Sequence, residues 1–368
     1  MYRRRPRRRL GEAGEARASA ASAARPNSAE RSEAEKKATR ATRVTRAKPP
    51  SEARRRKSDE SDESKPAERS EAERNKEKTR MKYSVTSVCL PSLDLAGQCR
   101  LLRELGFDAL ELRVRRVSDD LRAKAEPSFW GYHVNDITPE NFADRAAEVN
   151  RILADHGLQL AGLATNMTCT DLEQFRHVLD GAVLTHAPFI RLGAARGFNG
   201  RDHEDYREIY GETLAGFARC VELAKGTGIR LIVEMHGNTI HPSASLALRI
   251  AGAFSPAQTG VIYDPQNMVR DGYETPAIAI PMLGDYLAHC HFGAHRPIPG
   301  DLAPDGTRQW KWEACDMAEG LFHFPTAMAL LRKLDYQGFI SIEDFRANLD
   351  PATKFGNAIR YLKSIEAQ

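Results

Sequence analysis

Residues Arg230-Leu231-Ile232-Val233-Glu234-Met235-His236 form a short β-prone run that ends in ionisable side chains. The pattern returns three times towards the C-terminus. It reads Thr259-Gly260-Val261-Ile262-Tyr263-Asp264, then Leu287-Ala288-His289-Cys290-His291-Phe292, then Phe339-Ile340-Ser341-Ile342-Glu343-Asp344. Amphipathic stretches with helical period separate these runs. Working back towards the N-terminus, the same alternation predicts strands at 83–89, 109–114, 158–167 and 189–194. Helices are expected from Asp94, over 171–186 and 206–225, from near Ser243, over 276–284, and from Gly320 to Leu334, with a last one ending at Ile365. Thr138-Pro139-Glu140 reads as an N-cap followed by a first-turn proline, and His156-Gly157 as that helix's C-terminal stop. A long loop is expected between 293 and 320.

Eight βα units in 288 residues predict an α/β fold of the closed (β/α)8 type, whose usual size is about 250 residues. A doubly wound sheet is the competitor. It would need a glycine-rich first turn, and the first strand runs instead into Cys89-Leu90-Pro91-Ser92.

The chain divides sharply in composition near residue 80. Residues 1–80 hold 25 Lys and Arg against 14 Asp and Glu, a net of +11. The remaining residues hold 29 against 36, a net of −7, so the overall +4 describes neither part. The first segment lacks Phe, Trp, Ile and Cys and cannot offset its chain entropy by burial, so it reads as a disordered basic tail. Arg3 to Arg9 resemble a nuclear address or a nucleic-acid arm. The plainer reading is a solvated tail, or upstream sequence from a start placed too early, because Met81-Lys82-Tyr83-Ser84-Val85 runs directly into the first strand. No apolar stretch suggests a signal peptide or a membrane span. The six cysteines include no Cys-x-x-Cys pair, as expected of reduced thiols in a cytoplasmic protein.

In a parallel barrel, side chains at the carboxyl ends of the strands face the catalytic mouth, and they alternate inward and outward. Glu234 and His236 share a face with Ile232, both histidines of the 287–292 run share a face, and Glu343 shares one with Ser341. Glu234, Asp264, His291 and Glu343 can therefore converge. Three carboxylates and an imidazole form a mostly oxygen ligand set suited to Mn, Mg, Co or Zn. Without a cation they would repel one another in a low-dielectric pocket. An ion-paired structural network is the alternative, since a strand-end Asp alone is usually a helix cap.

The body of the chain, 81–368, resembles the xylose-isomerase-like barrels, the sugar phosphate isomerase/epimerase group. The resemblance rests on Val233-Glu234-Met235-His236-Gly237, Tyr263-Asp264-Pro265-Gln266-Asn267, His289-Cys290-His291, Glu319-Gly320 and Gly338-Phe339-Ile340-Ser341-Ile342-Glu343. It implies a metal held by Glu234, Asp264, His291 and Glu343, with Glu234 and Glu343 flanking the sugar carbon that exchanges a proton. The group's ketohexose epimerases carry a His three residues after the strand-six Asp, where this chain has Asn267. Asn267 can bond a hydroxyl but cannot exchange protons near neutrality. That favours branches acting on keto-sugars, glycosides or inositol derivatives, in some of which a His placed like His236 is the base. The related endonuclease IV needs further histidines that the chain lacks, so no nucleic-acid substrate is expected.

Arg113, Asn166, His289, His295, Arg296 and Lys311 are further candidates for substrate contact, with Phe129 and Trp130 as an apolar wall. Arg113 beside Glu111 reads equally well as a buried ion pair, and His236 as a structural histidine. The expected activity is metal-dependent isomerisation or epimerisation of a sugar or keto-sugar through an enediolate. A dehydratase or lyase on an inosose or 3-keto-glycoside shares the first half-reaction, and a non-catalytic sugar-binding barrel is the third reading. A homo-oligomer is possible on this reading; a membrane partner is not expected.

Overall fold

The computed structural model describes residues 80–200 and 204–367. The expectation of a disordered tail over 1–80 lies, apart from Arg80, outside the described residues. The strands are β1 (Lys82–Thr86), β2 (Ala109–Val114), β3 (Gln159–Thr165), β4 (Phe189–Arg191), β5 (Arg230–Glu234), β6 (Thr259–Tyr263), β7 (Leu287–Phe292), β8 (His295–Leu302), β9 (Arg308–Ala314) and β10 (Phe339–Ile342). Eight of them close a parallel barrel in the order β1-β10-β7-β6-β5-β4-β3-β2. The helices are α1 (Leu95–Leu105), α2 (Asp119–Lys124), α3 (Pro139–Asp155), α4 (Leu172–Thr185), α5 (Tyr206–Leu223), α6 (Ala244–Ala251), α7 (Pro265–Asp271), α8 (Pro276–Leu283), α9 (Phe324–Lys333) and α10 (Pro351–Glu366).

Local chemistry sets most helix starts. The Asp94 carboxylate accepts from Gly97 N at the start of α1. Thr138 and Asn141 cap each other reciprocally at α3. Asp171 caps α4, and Asp350 caps α10. Each long helix buries one stripe against the sheet, such as Phe175, Val178, Leu179 and Ala182 on α4. Glu366, at the end of α10, ties the last element to the first: it accepts from Met81 N at 2.7 Å and from the Tyr83 hydroxyl at 2.6 Å.

The barrel interior is layered. Ala109, Ala161 and Phe339 form one sealed apolar cluster, and Phe189, Ile232 and Ile262 form another. By strand alternation Ile232 lies beneath Glu234, and Ile262 beneath Asp264. One irregularity matters for the site. The β2–β3 register slips between Leu110 and Glu111, which faces Gly162. A Cβ at Gly162 would meet the Phe189 ring at 2.0 Å, so only glycine admits that ring. Phe189 in turn packs against His289, with ring centroids 4.9 Å apart.

The expected loop between 293 and 320 is mostly an antiparallel hairpin, β8 with β9. Pro297 and Pro299 argue against a strand from sequence alone, yet a free two-stranded ribbon tolerates them. The helices α2 and α7 were likewise not anticipated, and β1 ends early in a tight turn over Ser87–Cys89. All six cysteines are buried and unpaired. No helix among the described residues is long and apolar enough to cross a membrane.

Candidate metal centre

Glu234 ends β5, Asp264 follows β6 as the N-cap of α7, His291 lies on β7 and Glu343 follows β10. Each offers one ligand atom, and these atoms all lie within 4.8 Å of one another. All four residues are buried. The structure thus brings together the four residues that the strand alternation singled out.

His291 organises the group. Its Nδ1 lies 3.0 Å from Glu234 Oε1 and 3.3 Å from Glu343 Oε1. Its Nε2 lies 3.0 Å from both carboxylate oxygens of Glu111. A carboxylate only accepts, so Nε2 carries a proton and donates it there, leaving Nδ1 to face the acids. Glu111 also accepts from His289 Nε2 at 3.3 Å. Glu111 and His289 sit one layer beneath the ligands, where the Gly162 irregularity positions the first and Phe189 supports the second. Glu111, His289 and His291 form a second close group of potential ligand atoms.

The protonation pattern shows what the ring lacks. Burial, with Glu234 and Glu343 adding repulsion, pushes Asp264 well above its ordinary value. Burial likewise pushes Glu343 up to about 7, although His291 opposes the shift. Burial alone would raise Glu234 too, but Arg191 and the hydrogen bond from His291 hold it below the carboxylate range. His291 is held protonated: burial opposes this, and Glu111 and Glu343 overcome it. Buried acids driven towards neutrality beside an imidazole driven towards charge are a site short of positive charge. A divalent cation fits that deficit, and the oxygen-rich donor set suits Mg or Mn.

A cleft of about 590 Å³ opens above the ring. Of the four acid-and-histidine residues, only Glu234 and Glu343 line it. His236, Asn166, Asn267, Arg113 and His295 also reach it, as does Trp130. Trp130 packs at a tilt on Phe345 with centroids 4.8 Å apart, and Phe129 lies edge-on to the same ring. Asn267 donates its backbone N–H to Asp264 Oδ1 at 3.0 Å and its side-chain amide to Oδ2, so it holds a ligand as well as facing the cleft. His236 is half-buried, with Nδ1 2.7 Å from Gly237 O.

Three candidates fall elsewhere. His289 is wholly buried beneath the ligand layer, because it lies two residues before His291 on the same face of β7. Arg296 and Lys311 stand on the hairpin and do not line the cleft. Arg296 binds Glu313 at 2.9 Å and Glu319 at 2.8 Å. The expected pairing of Arg113 with Glu111 is not found either. Arg113 Nη2 donates to Gly131 O at 2.7 Å, and Glu111 is taken by the two histidines.

Sequence reasoning missed Glu111 as part of the site, and also Arg191, whose Nη2 lies 2.5 Å from Glu234 Oε2. Strand alternation could have found both, since Glu111 shares a face with Arg113, and Arg191 shares one with Phe189. His241 was missed as well. Its Nδ1 donates to Glu234 O at 2.8 Å, fixing the backbone of a ligand.

Residues 99–365 match the family model described as the xylose isomerase-like TIM barrel. The chain belongs to the xylose isomerase-like TIM barrel family. No curated protein sequence matches it significantly. Among solved structures, this xylose isomerase-like barrel is similar to a 3-keto-D-glucoside 4-epimerase from E. coli, with a TM-score of 0.57 and 14% identity over 77% of this chain and 100% of the other. It is similar to a probable 3-DHS dehydratase from Bacillus anthracis, with a TM-score of 0.56 and 17% identity over 77% and 99% of the two chains. It also resembles a xylose isomerase-like barrel from Mycobacterium smegmatis in complex with magnesium, with a TM-score of 0.56 and 16% identity over 79% and 98%. Likeness at this identity shows the shared fold.

Proposed function

We propose that this barrel is a divalent-metal-dependent isomerase or epimerase of a keto-sugar. One observation carries the reading: Glu234 and Glu343 are the two ligand-set residues that reach the cleft, while Asp264 and His291 stay beneath it. Two carboxylates on opposite sides of one substrate carbon are what deprotonation with inversion requires. When bound, the cation supplies Lewis acidity to a carbonyl and its neighbouring hydroxyl, which acidifies the proton between them.

Glu343 is the better placed base. It has no direct arginine partner among the described residues, whereas Glu234 is tied to Arg191. A base must reach the substrate with a free oxygen, and Glu343 lines the cleft without a guanidinium holding it. Glu234 or His236 then returns the proton, and the face it serves decides between restoration and inversion. Trp130 and Phe345 cover the apolar side of the sugar and exclude water. The solved structures named for epimerases support this reading. The equal likeness to the dehydratase supports a second one, in which the same deprotonation is followed by loss of a β-hydroxyl.

The test joins metal analysis to proton exchange. Purified protein should carry about one divalent ion per chain, and chelation should stop α-proton exchange with D2O across a panel of keto-sugars and inososes. Glu343→Gln, in excess metal, should slow exchange by roughly 10²–10⁴-fold. Exchange at the wild-type rate in Glu343→Gln but not in His236→Ala would transfer the base to His236. Undiminished exchange in excess chelator would end the metal reading.

A further inference from the structure

Five arginines line the cleft: Arg113, Arg115, Arg191, Arg196 and Arg270. Arg196 is neutralised by Glu208 and Glu212, and Arg191 by Glu234. Arg113, Arg115 and Arg270 have no ion-pair partner among the described residues. Arg113 and Arg115 stand together at the carboxyl end of β2, and Arg191 stands on β4. They therefore occupy the half of the barrel that the proposed ligands on β5, β6, β7 and β10 leave free. Asn166, just after β3, is exposed in the cleft between them.

The cluster is costly unless something answers its charge. Arg113 is only 2% exposed, and its Nε and Nη1 have no hydrogen-bond partner. Burial lowers its pKa, and so does the neighbouring charge of Arg115, which itself feels Arg191. Burial, with Arg113 and Arg115 adding to it, holds His133 neutral beside them. Asp136, whose charge Arg113 feels, gives one oxygen to Arg122 at 2.8 Å and makes no ion pair with Arg113. A neutral sugar could accept from these donors but would leave the guanidinium charge unanswered, whereas a planar or tetrahedral oxyanion answers it and matches their fork.

We infer that the substrate carries an anionic group, a carboxylate or a phosphate, held by Arg113 and Arg115 on the cleft wall across from the acid ring. The keto and hydroxyl groups then lie towards Glu234 and Glu343, and the anion fixes which carbon they face. The inference deepens the isomerase reading and rests on it for the orientation of the substrate, but the anion subsite itself is testable alone.

The full chain as purified is titrated separately with inorganic phosphate and with acetate, and binding is followed by calorimetry and by thermal shift. At least one anion should bind wild-type protein, and the preferred one identifies the group. Arg115→Gln removes a half-buried guanidinium with no internal partner, so the fold survives. It should weaken that binding by roughly tenfold or more, the scale of one charge-assisted contact. Arg270→Gln, on the opposite wall beside His295, should leave it within about twofold of wild type. Arg113→Gln should act like Arg115→Gln if it folds, and circular dichroism decides that.

Failure of both anions to bind wild-type protein overturns the inference. So does binding that survives Arg115→Gln, since the anion then sits on a bound cation or at Arg270. Proton exchange on an uncharged ketose, with neither anion bound, would sink the anionic substrate and leave the isomerase standing. Anion binding lost in Arg115→Gln, with no exchange on any keto-sugar, would do the reverse.

Discussion

Glu111→Gln is the sharpest perturbation of the centre, because it leaves the proposed ligands untouched. Glu111 is fully buried and accepts from His291 Nε2 at 3.0 Å through both oxygens and from His289 Nε2 at 3.3 Å. Glutamine has the same shape but one acceptor oxygen, and its amide cannot face an N–H. Whichever way the amide turns, its NH2 lies against His291 Nε2–H, and His291 loses the negative charge that makes its other nitrogen a strong donor to metal. Outer carboxylates of this kind are worth about 10–100-fold in metal affinity, or about 1.4–2.7 kcal/mol. The metal-free fold should also weaken, because a buried charge loses its partner at a cost of roughly 3–5 kcal/mol. Competition against a fluorescent chelator measures the first effect for Mn, and urea unfolding in excess chelator measures the second. A folded Glu111→Gln that binds Mn as tightly as wild type would show that Glu111 does not orient His291 for metal, and that the buried carboxylate–imidazole contact serves packing alone.

Two further outcomes follow from the same geometry. Metal uptake near pH 6 should release protons, since Asp264 and Glu343 are pushed above their ordinary values and His291 is held charged. Glu343 is raised from 4.5 to about 7, so the metal-free fold loses stability as pH climbs through that window, and bound metal should abolish the loss. Calorimetry in buffers of different ionisation enthalpy checks this, and a binding heat independent of buffer would refute it. A chain beginning at Met81 should melt within a few degrees of the full chain, because Met81 N already binds Glu366 and β1 starts one residue later. A large drop in melting temperature would show that residues 1–80 carry structure the barrel needs.

The barrel and the ring of acids were legible because both rest on short-range regularities. Strand alternation places Glu234, Asp264, His291 and Glu343 inward without any knowledge of tertiary contacts. What escaped depends on contacts between distant segments. Glu111 looked like the partner of its near neighbour Arg113, yet the histidines of β7 claim it from across the barrel. Arg296 looked like a cleft residue by its position after β7, but the hairpin carries it away to Glu313 and Glu319. Asn267 read as a gap in the family pattern, and the structure gives it a second task at Asp264. The hairpin itself hid behind its prolines.

Those prolines have a use of their own. His295 O accepts from Leu321 N, so odd-numbered residues of β8 turn their backbone groups away from β9. Pro297 and Pro299 therefore stand on the outer edge, where each removes the N–H that an incoming strand would grip. A two-stranded arm with a long bare edge invites addition of a foreign strand and, from there, fibre growth. With two of its donors missing in a row, the β8 edge cannot template a continuous ladder, so that side of the arm does not invite strand addition.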